Sequence, residues 1–124
     1  MIKVKHFMDP IESTDGSRIW VEPIGVTRDL AHWCQITYIL CHLAPPQHLC
    51  DWLEEHPDGY DFFQAQYHEW LNQSQFKPAL QQFACKARHE QITLLHQSSD
   101  PQQNSATALA EFLIELEAHC SSDQ

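Results

Sequence analysis

Glycine is scarce in this chain of 124 residues: there are three, Gly16, Gly25 and Gly59. That scarcity excludes the glycine-dependent signatures as sequence motifs. Gly-x-Gly-x-x-Gly, the P-loop and Gly-x-Ser-x-Gly all need glycines at fixed spacing, so that the backbone can turn sharply or approach a phosphate. Positive charge is scarce too. Seven Lys and Arg stand against 17 Asp and Glu, a net charge of −10. Residues 1–28 are balanced, with Lys3, Lys5, Arg18 and Arg28 against Asp9, Glu12, Asp15 and Glu22. Beyond them only Lys77, Lys86 and Arg88 remain to offset the acids. Nucleic-acid binding rests on neutralising phosphates, and a field of this sign repels polyanions and anionic lipid. No nucleic-acid partner is expected.

Long apolar runs are missing as well. None approaches the ~18 residues of a membrane span, and no apolar segment of signal length follows the opening Met-Ile-Lys-Val-Lys-His-Phe. The expectation is a cytoplasmic protein with no membrane partner. The five cysteines, Cys34, Cys41, Cys50, Cys85 and Cys120, form no Cys-x-x-Cys pair and are odd in number. They read as buried or half-buried thiols of a reducing compartment. With no internal repeat, the length points to one domain over residues 1–120 and a frayed tail at 121–124. A chain this long buries enough surface to need neither metal nor disulfide, and no cofactor is expected.

What is present is an alternation of β-rich and helical patterns. Ile2–Phe7 and Arg18–Glu22 read as strands, joined by a turn-rich segment whose sharpest signal is Asp15-Gly16. They are expected to form a long-looped hairpin or to be neighbours by a wider connection. Thr27 can cap a short helix reaching Trp33. The continuous run Ile36–Leu43 suits a strand buried on both faces, with a helical turn as the alternative. Three helices follow. The first runs from Pro46 to Glu55. The second carries Tyr60, Phe63, Tyr67, Trp70 and Leu71 as one stripe, read as core because no cation accompanies it. The third runs from Phe76 to His89. Gln91–His96 is the last strand. Asp100-Pro101-Gln102-Gln103 then looks like the capped start of a final helix, with Ala106, Leu109, Ala110, Leu113 and Leu116 inward and Glu111, Glu115 and Glu117 toward water. The expected fold is a single α/β domain with about four strands in a mostly parallel or mixed sheet flanked by helices.

Three clusters offer chemistry. At the end of the last strand, His96, Ser99, Asp100 and Asn104 would line a small-ligand pocket at the carboxyl edge of the sheet, where open α/β sheets hold ligands. The competing reading is ordinary helix capping, and the negative Asp100 argues against a phosphate there. His32, Cys34, Cys41, His42, His48 and Cys50 include metal-ligating types, but their spacing lacks two close ligand pairs, so no metal is expected. Asp51, Glu54, Glu55, Asp58 and Asp61 around His56 read as a solvated acidic helix end.

The order of several pieces resembles the YeaO-like family, a domain of unknown function numbered 488. They are Met-Ile-Lys-Val-Lys at the start, Asp15-Gly16-x-Arg18-Ile-x-Val21, Leu43-Ala44-Pro45, Trp52 with Pro57, Phe63 with Tyr67, and Thr93-Leu94-Leu95 followed by Asp100 and Asn104. Members of that family resemble Val-Asp-Arg-Leu-Trp-Pro-Arg-Gly after the second strand. Here the text is Val21-Glu22-Pro23-Ile24-Gly25, without either arginine or the tryptophan. An Arg-rich family segment is here Gln64-Ala65-Gln66, and the usual tyrosine at the last strand's end is His96. The resemblance implies the fold, and a divergent site stripped of its positive charge. The functional expectation is a non-catalytic protein or weak small-ligand binder. The alternatives are an enzyme using His96 and Asp100 as an acid–base pair, or a module that binds another protein through Trp33, Trp52 or Trp70. A closed homodimer is the default assembly.

Overall fold

A computed structural model describes the backbone of residues 1–122 and the side chains of residues 1–118. The tail expected at 121–124 lies outside the residues described with side chains. Four strands make one sheet: β1 (Ile2–His6), β2 (Ser17–Trp20), β3 (Tyr38–Ile39) and β4 (Ile92–His96). Their order is β1-β4-β2-β3, and every pairing is parallel. The first two strands are therefore not neighbours. β4, last in the chain, lies between them with Ile2 opposite Ile92 and Ser17 opposite the same residue on the other side.

Side chains alternate across a strand, so this register sorts the residues onto two faces. Ile2, Val4, Ile19, Ile92 and Leu94 face a core shared with the helices. That side is covered by α2 (Gln47–Glu55), α3 (Tyr60–Leu71), α4 (Lys77–His89) and α5 (Ser105–Ser122). The aromatic stripe of α3 is core, as its spacing predicts: Phe63, Tyr67 and Leu71 are buried. Tyr67 reaches further and donates its hydroxyl to the Leu43 carbonyl, which satisfies a polar group that burial would otherwise penalise. Each fully buried Leu or Ile in such a core contributes roughly 1.5–3 kcal/mol of transfer free energy.

The opposite face carries charge. Lys3, Lys5 and Arg18 converge there on Asp15, which belongs to a short 3-10 turn (Ser13–Asp15). Gly16 follows at φ 65°, packed so closely on the Gln91 backbone that a Cβ would collide with its carbonyl. This is the close approach that Asp15-Gly16 foreshadows. The short helix α1 (Arg28–Trp33) begins where expected, with the Thr27 hydroxyl accepting from the Leu30 amide.

Two elements differ from the sequence reading. The run Ile36–Leu43 is not a strand buried on both faces. Only Tyr38 and Ile39 pair, at the sheet edge with both side chains exposed, and Cys41–Leu43 then turns as a 3-10 helix that sends Leu43 into the core. An edge strand has a neighbour on one side only, so apolar content alone did not establish its burial. The final helix begins at Ser105 rather than at Pro101. Asp100 accepts the Gln102 and Gln103 amides and closes a local turn, while Asn104 Oδ1 takes the Thr107 amide and acts as the cap. Glu111 does not simply face water: it accepts from Tyr60 at 2.6 Å and from Gln64, tying α5 to α3.

Candidate functional site at the carboxyl edge of the sheet

A cavity of about 840 Å³ opens at the carboxyl ends of β2 and β4. Three segments wall it. The chain leaving β2 contributes Glu22, Pro23 and Ile24. Helix α2 contributes Gln47, Cys50, Asp51, Leu53 and Glu54. The loop from β4 into α5 contributes residues 97–100 and 103–105, and Phe63 of α3 adds an apolar surface. The location is that of ligands in open α/β sheets, where strands end and connections diverge.

Glu22 is the most buried of the charged residues that line it, at 6% exposure. Its Oε1 accepts from the Ser105 hydroxyl at 2.9 Å and from the Gln97 amide at 3.2 Å. Burial raises its pKa above the ordinary value of 4.5, with Glu54 adding to the effect, while the bonds from Ser105 and Gln97 oppose it. Among the described residues no Lys, Arg or His lines the cavity. Asp51, Glu54 and Asp100 stand exposed at its mouth. Cys50 is the one thiol of the described residues in the wall. Burial, with Glu22, Asp51 and Glu54 nearby, pushes it up to about 12, so it remains a protonated thiol at neutral pH.

Of the four residues expected at the site, Ser99, Asp100 and Asn104 line this cavity. Ser99 and Asp100 are exposed, whereas Asn104 is 1% exposed and occupied in capping, its amide also donating to the Asp100 carbonyl at 2.9 Å. His96 is not part of the wall. It is 2% exposed at the end of β4, its Nδ1 accepts the Ser98 amide, and its ring meets His6 edge-on at 5.6 Å. Burial, helped by His6, pushes it down to about 4 despite Asp9, Asp100 and the Ser98 amide. No hydrogen bond joins it to Asp100, whose Oδ1 serves backbone amides.

The residues that sequence reasoning missed are Glu22, Gln47, Cys50, Asp51 and Glu54. A signal existed on α2: spacings of three, one and three put Gln47, Cys50, Asp51 and Glu54 on one helical face. Among the described residues no three His, Cys, Asp or Glu side chains group to hold an ion. Trp33 is 78% exposed on α1, while Trp52 and Trp70 pack partly buried against the core.

A parallel four-stranded sheet with helices on it and a pocket at its carboxyl edge defines a single-domain open α/β protein. The family described as a domain of unknown function, DUF488, matches residues 3–113, nearly the whole chain, and the chain belongs to it. No curated protein and no solved structure matches it. Among the described residues no helix is long and apolar enough to cross a membrane.

Proposed function

We propose that this protein is a non-catalytic small-molecule binder whose site is the cavity between the end of β2, helix α2 and the loop leading into α5. The observation that carries this reading is a volume of about 840 Å³ at the carboxyl edge, walled by apolar Ile24, Leu53 and Phe63 and by a few converging polar groups. Pockets for small organic ligands have that size and mixture. Its want of activated groups supports the non-catalytic part. Among the described residues the wall has no histidine, its Cys50 thiol is held protonated, and Asp100 Oδ1 is engaged by two amides. The free thiols Cys34, Cys41, Cys50 and Cys85 support a reducing, cytoplasmic setting.

The test is a turnover screen over phosphoesters, nucleotides, esters and amides, run beside a fragment-binding screen read by amide chemical shifts. The expected result is no turnover and fragments that shift the resonances of residues 97–105. A turnover that disappears in Asp100→Ala would instead make the loop catalytic.

A further inference from the structure

We propose that the cavity takes a small organic cation, a protonated amine or amidine on an apolar body, with its charge against the Glu22 carboxylate. The inference rests on the reading of the cavity as a ligand site and specifies the chemistry of its occupant.

Two independent features point the same way. The first is the shape and surface of the cavity. Ile24, Leu53 and Phe63 offer an apolar wall, which suits an organic body rather than a hydrated ion. The second is Glu22 itself, a carboxylate more than nine-tenths buried that faces this space with no positive partner among the described residues. Glu22 Oε1 accepts from the Ser105 hydroxyl and the Gln97 backbone amide, the Gln97 side chain also stabilises the carboxylate, and all of these donors are neutral. Buried charges in proteins are ordinarily paired, because hydrogen bonds from neutral groups replace only part of the lost hydration. Around Glu22 the pairing charge is missing. The groups facing it from α2 are Cys50, Asp51 and Glu54, which add negative charge or none.

The alternatives fit worse. An anion would enter a cavity with no Lys, Arg or His among the described residues of its wall and with Asp51, Glu54 and Asp100 at its mouth. A bare metal ion needs several close ligands, and among the described residues no three His, Cys, Asp or Glu side chains supply them. An ammonium or amidinium needs one carboxylate and neutral acceptors, which Glu22 and the surrounding amide oxygens provide. The exposed carboxylates at the mouth would then raise the local concentration of such a ligand and speed its entry.

Isosteric probes separate charge from shape. The full chain, labelled with nitrogen-15, is titrated at pH 7 with benzylamine and benzamidine, with the neutral benzyl alcohol and benzamide, and with benzoate. The expected result is that both cations shift the amides of Glu22 and residues 97–105 and bind about tenfold or more tightly than their neutral counterparts, a ratio in the range of a charged over a neutral hydrogen bond. Glu22→Gln, which keeps the acceptor for Ser105 and Gln97, should remove that advantage. Glu54→Gln at the exposed mouth should weaken the cations by about twofold or less. If the neutral probes or benzoate bind at these amides as tightly as the cations, the charge assignment is overturned and the cavity remains a ligand site. If the cations shift only amides elsewhere, or no probe of any charge moves these resonances, both the assignment and the cavity reading fail. The comparison of cation with isostere on the unaltered chain decides the matter even if the variant folds poorly.

Discussion

Asp15 and Arg18 meet at 2.5 Å on the face of the sheet turned away from the large helices, with side chains 1% and 3% exposed. Lys3 and Lys5 reach the same carboxylate at 2.8 and 3.1 Å. One buried acid thus holds three cations, while Arg18 also donates to the Cys34 carbonyl at 2.9 Å. Removing the acid leaves buried positive charge without its counter-charge. Asp15→Asn is expected to lower stability by about 3 kcal/mol, the scale of breaking a buried pair from one side. Urea unfolding with unchanged slope and a lower midpoint would confirm it, whereas a loss under about 1 kcal/mol would show that water screens the cluster.

Gly16→Ala tests the close approach next to this cluster. At φ 65°, with a Cβ directed at the Gln91 carbonyl, alanine requires the start of β2 to move away from β4. The expected cost is at least about 2 kcal/mol, combining strain at positive φ with a displaced strand. Gly25→Ala, where a Cβ meets open space, is the control and should change the midpoint little.

Acid should destabilise the protein in two stages. His96 is neutral when folded, its pKa pushed down to about 4, whereas unfolded it titrates near 6.5. Between those values the unfolded chain binds the extra proton, so stability falls as pH drops from 6.5 toward 4, by about 3 kcal/mol in all. Below the ordinary aspartate value of 3.8 a second loss begins. Burial opposes ionisation of Asp15, but hydrogen bonds from Lys3, the Glu12 amide, Lys5 and Arg18 hold its carboxyl well below that value, and protonation removes what they contribute. Denaturant midpoints at pH 7, 5.5 and 4.5 check the first stage. His96→Asn, which retains an acceptor for the Ser98 amide, should flatten it, and equal slopes in both proteins would rule His96 out as the cause.

Asn104→Ala removes the cap of α5 and the bond that ties it to Asp100. A loss of about 1–2 kcal/mol is expected, at the upper end for caps because Asn104 is buried. Amide exchange should quicken first in residues 105–108. Asp100→Ala, which disturbs only the exposed local turn, should cost about half as much or less.

The thiols offer a quick check on the cavity wall. Iodoacetamide at pH 8 should modify exposed Cys85 well before Cys50, because the reagent attacks thiolate and Cys50 sits near 12. Peptide mapping after short exposure reads the order directly. Preferential labelling of Cys50 would reveal an activated thiol and reopen the question of catalysis.

Much of the architecture was legible because local chemistry and final environment agree. The apolar residues of β4, the single stripe of α3 and the Thr27 cap all carry their signal within a few residues. The edge position of β3 was not legible, since Ile36–Leu43 would look the same beside one strand or two. The capped end of the last strand could be read as a pocket wall, and Ser99, Asp100 and Asn104 line one. The opposite walls could not. Glu22 and Glu54 lie far apart in sequence and become neighbours only where α2 packs beside the end of β2, and Glu54 has the pattern of an ordinary solvated acid of a helix end.

The placement of β4 also bears on how the chain reaches this form. Ile92–His96, made after three-quarters of the chain, supplies the hydrogen-bonding partners of both β1 and β2. Until it emerges, β1 has no partner strand and β2 has only its short pairing with β3, so the ion cluster around Asp15 lacks the central strand that joins its two sides. Pairing across some ninety residues implies slow folding, because loop closure precedes the reward of contact. An amino-terminal portion that stops short of β4 lacks the strand that joins β1 to β2. A chain halted before residue 92 is therefore expected to leave β1 unpaired and to be cut readily in limited proteolysis, whereas one that includes the central strand resists.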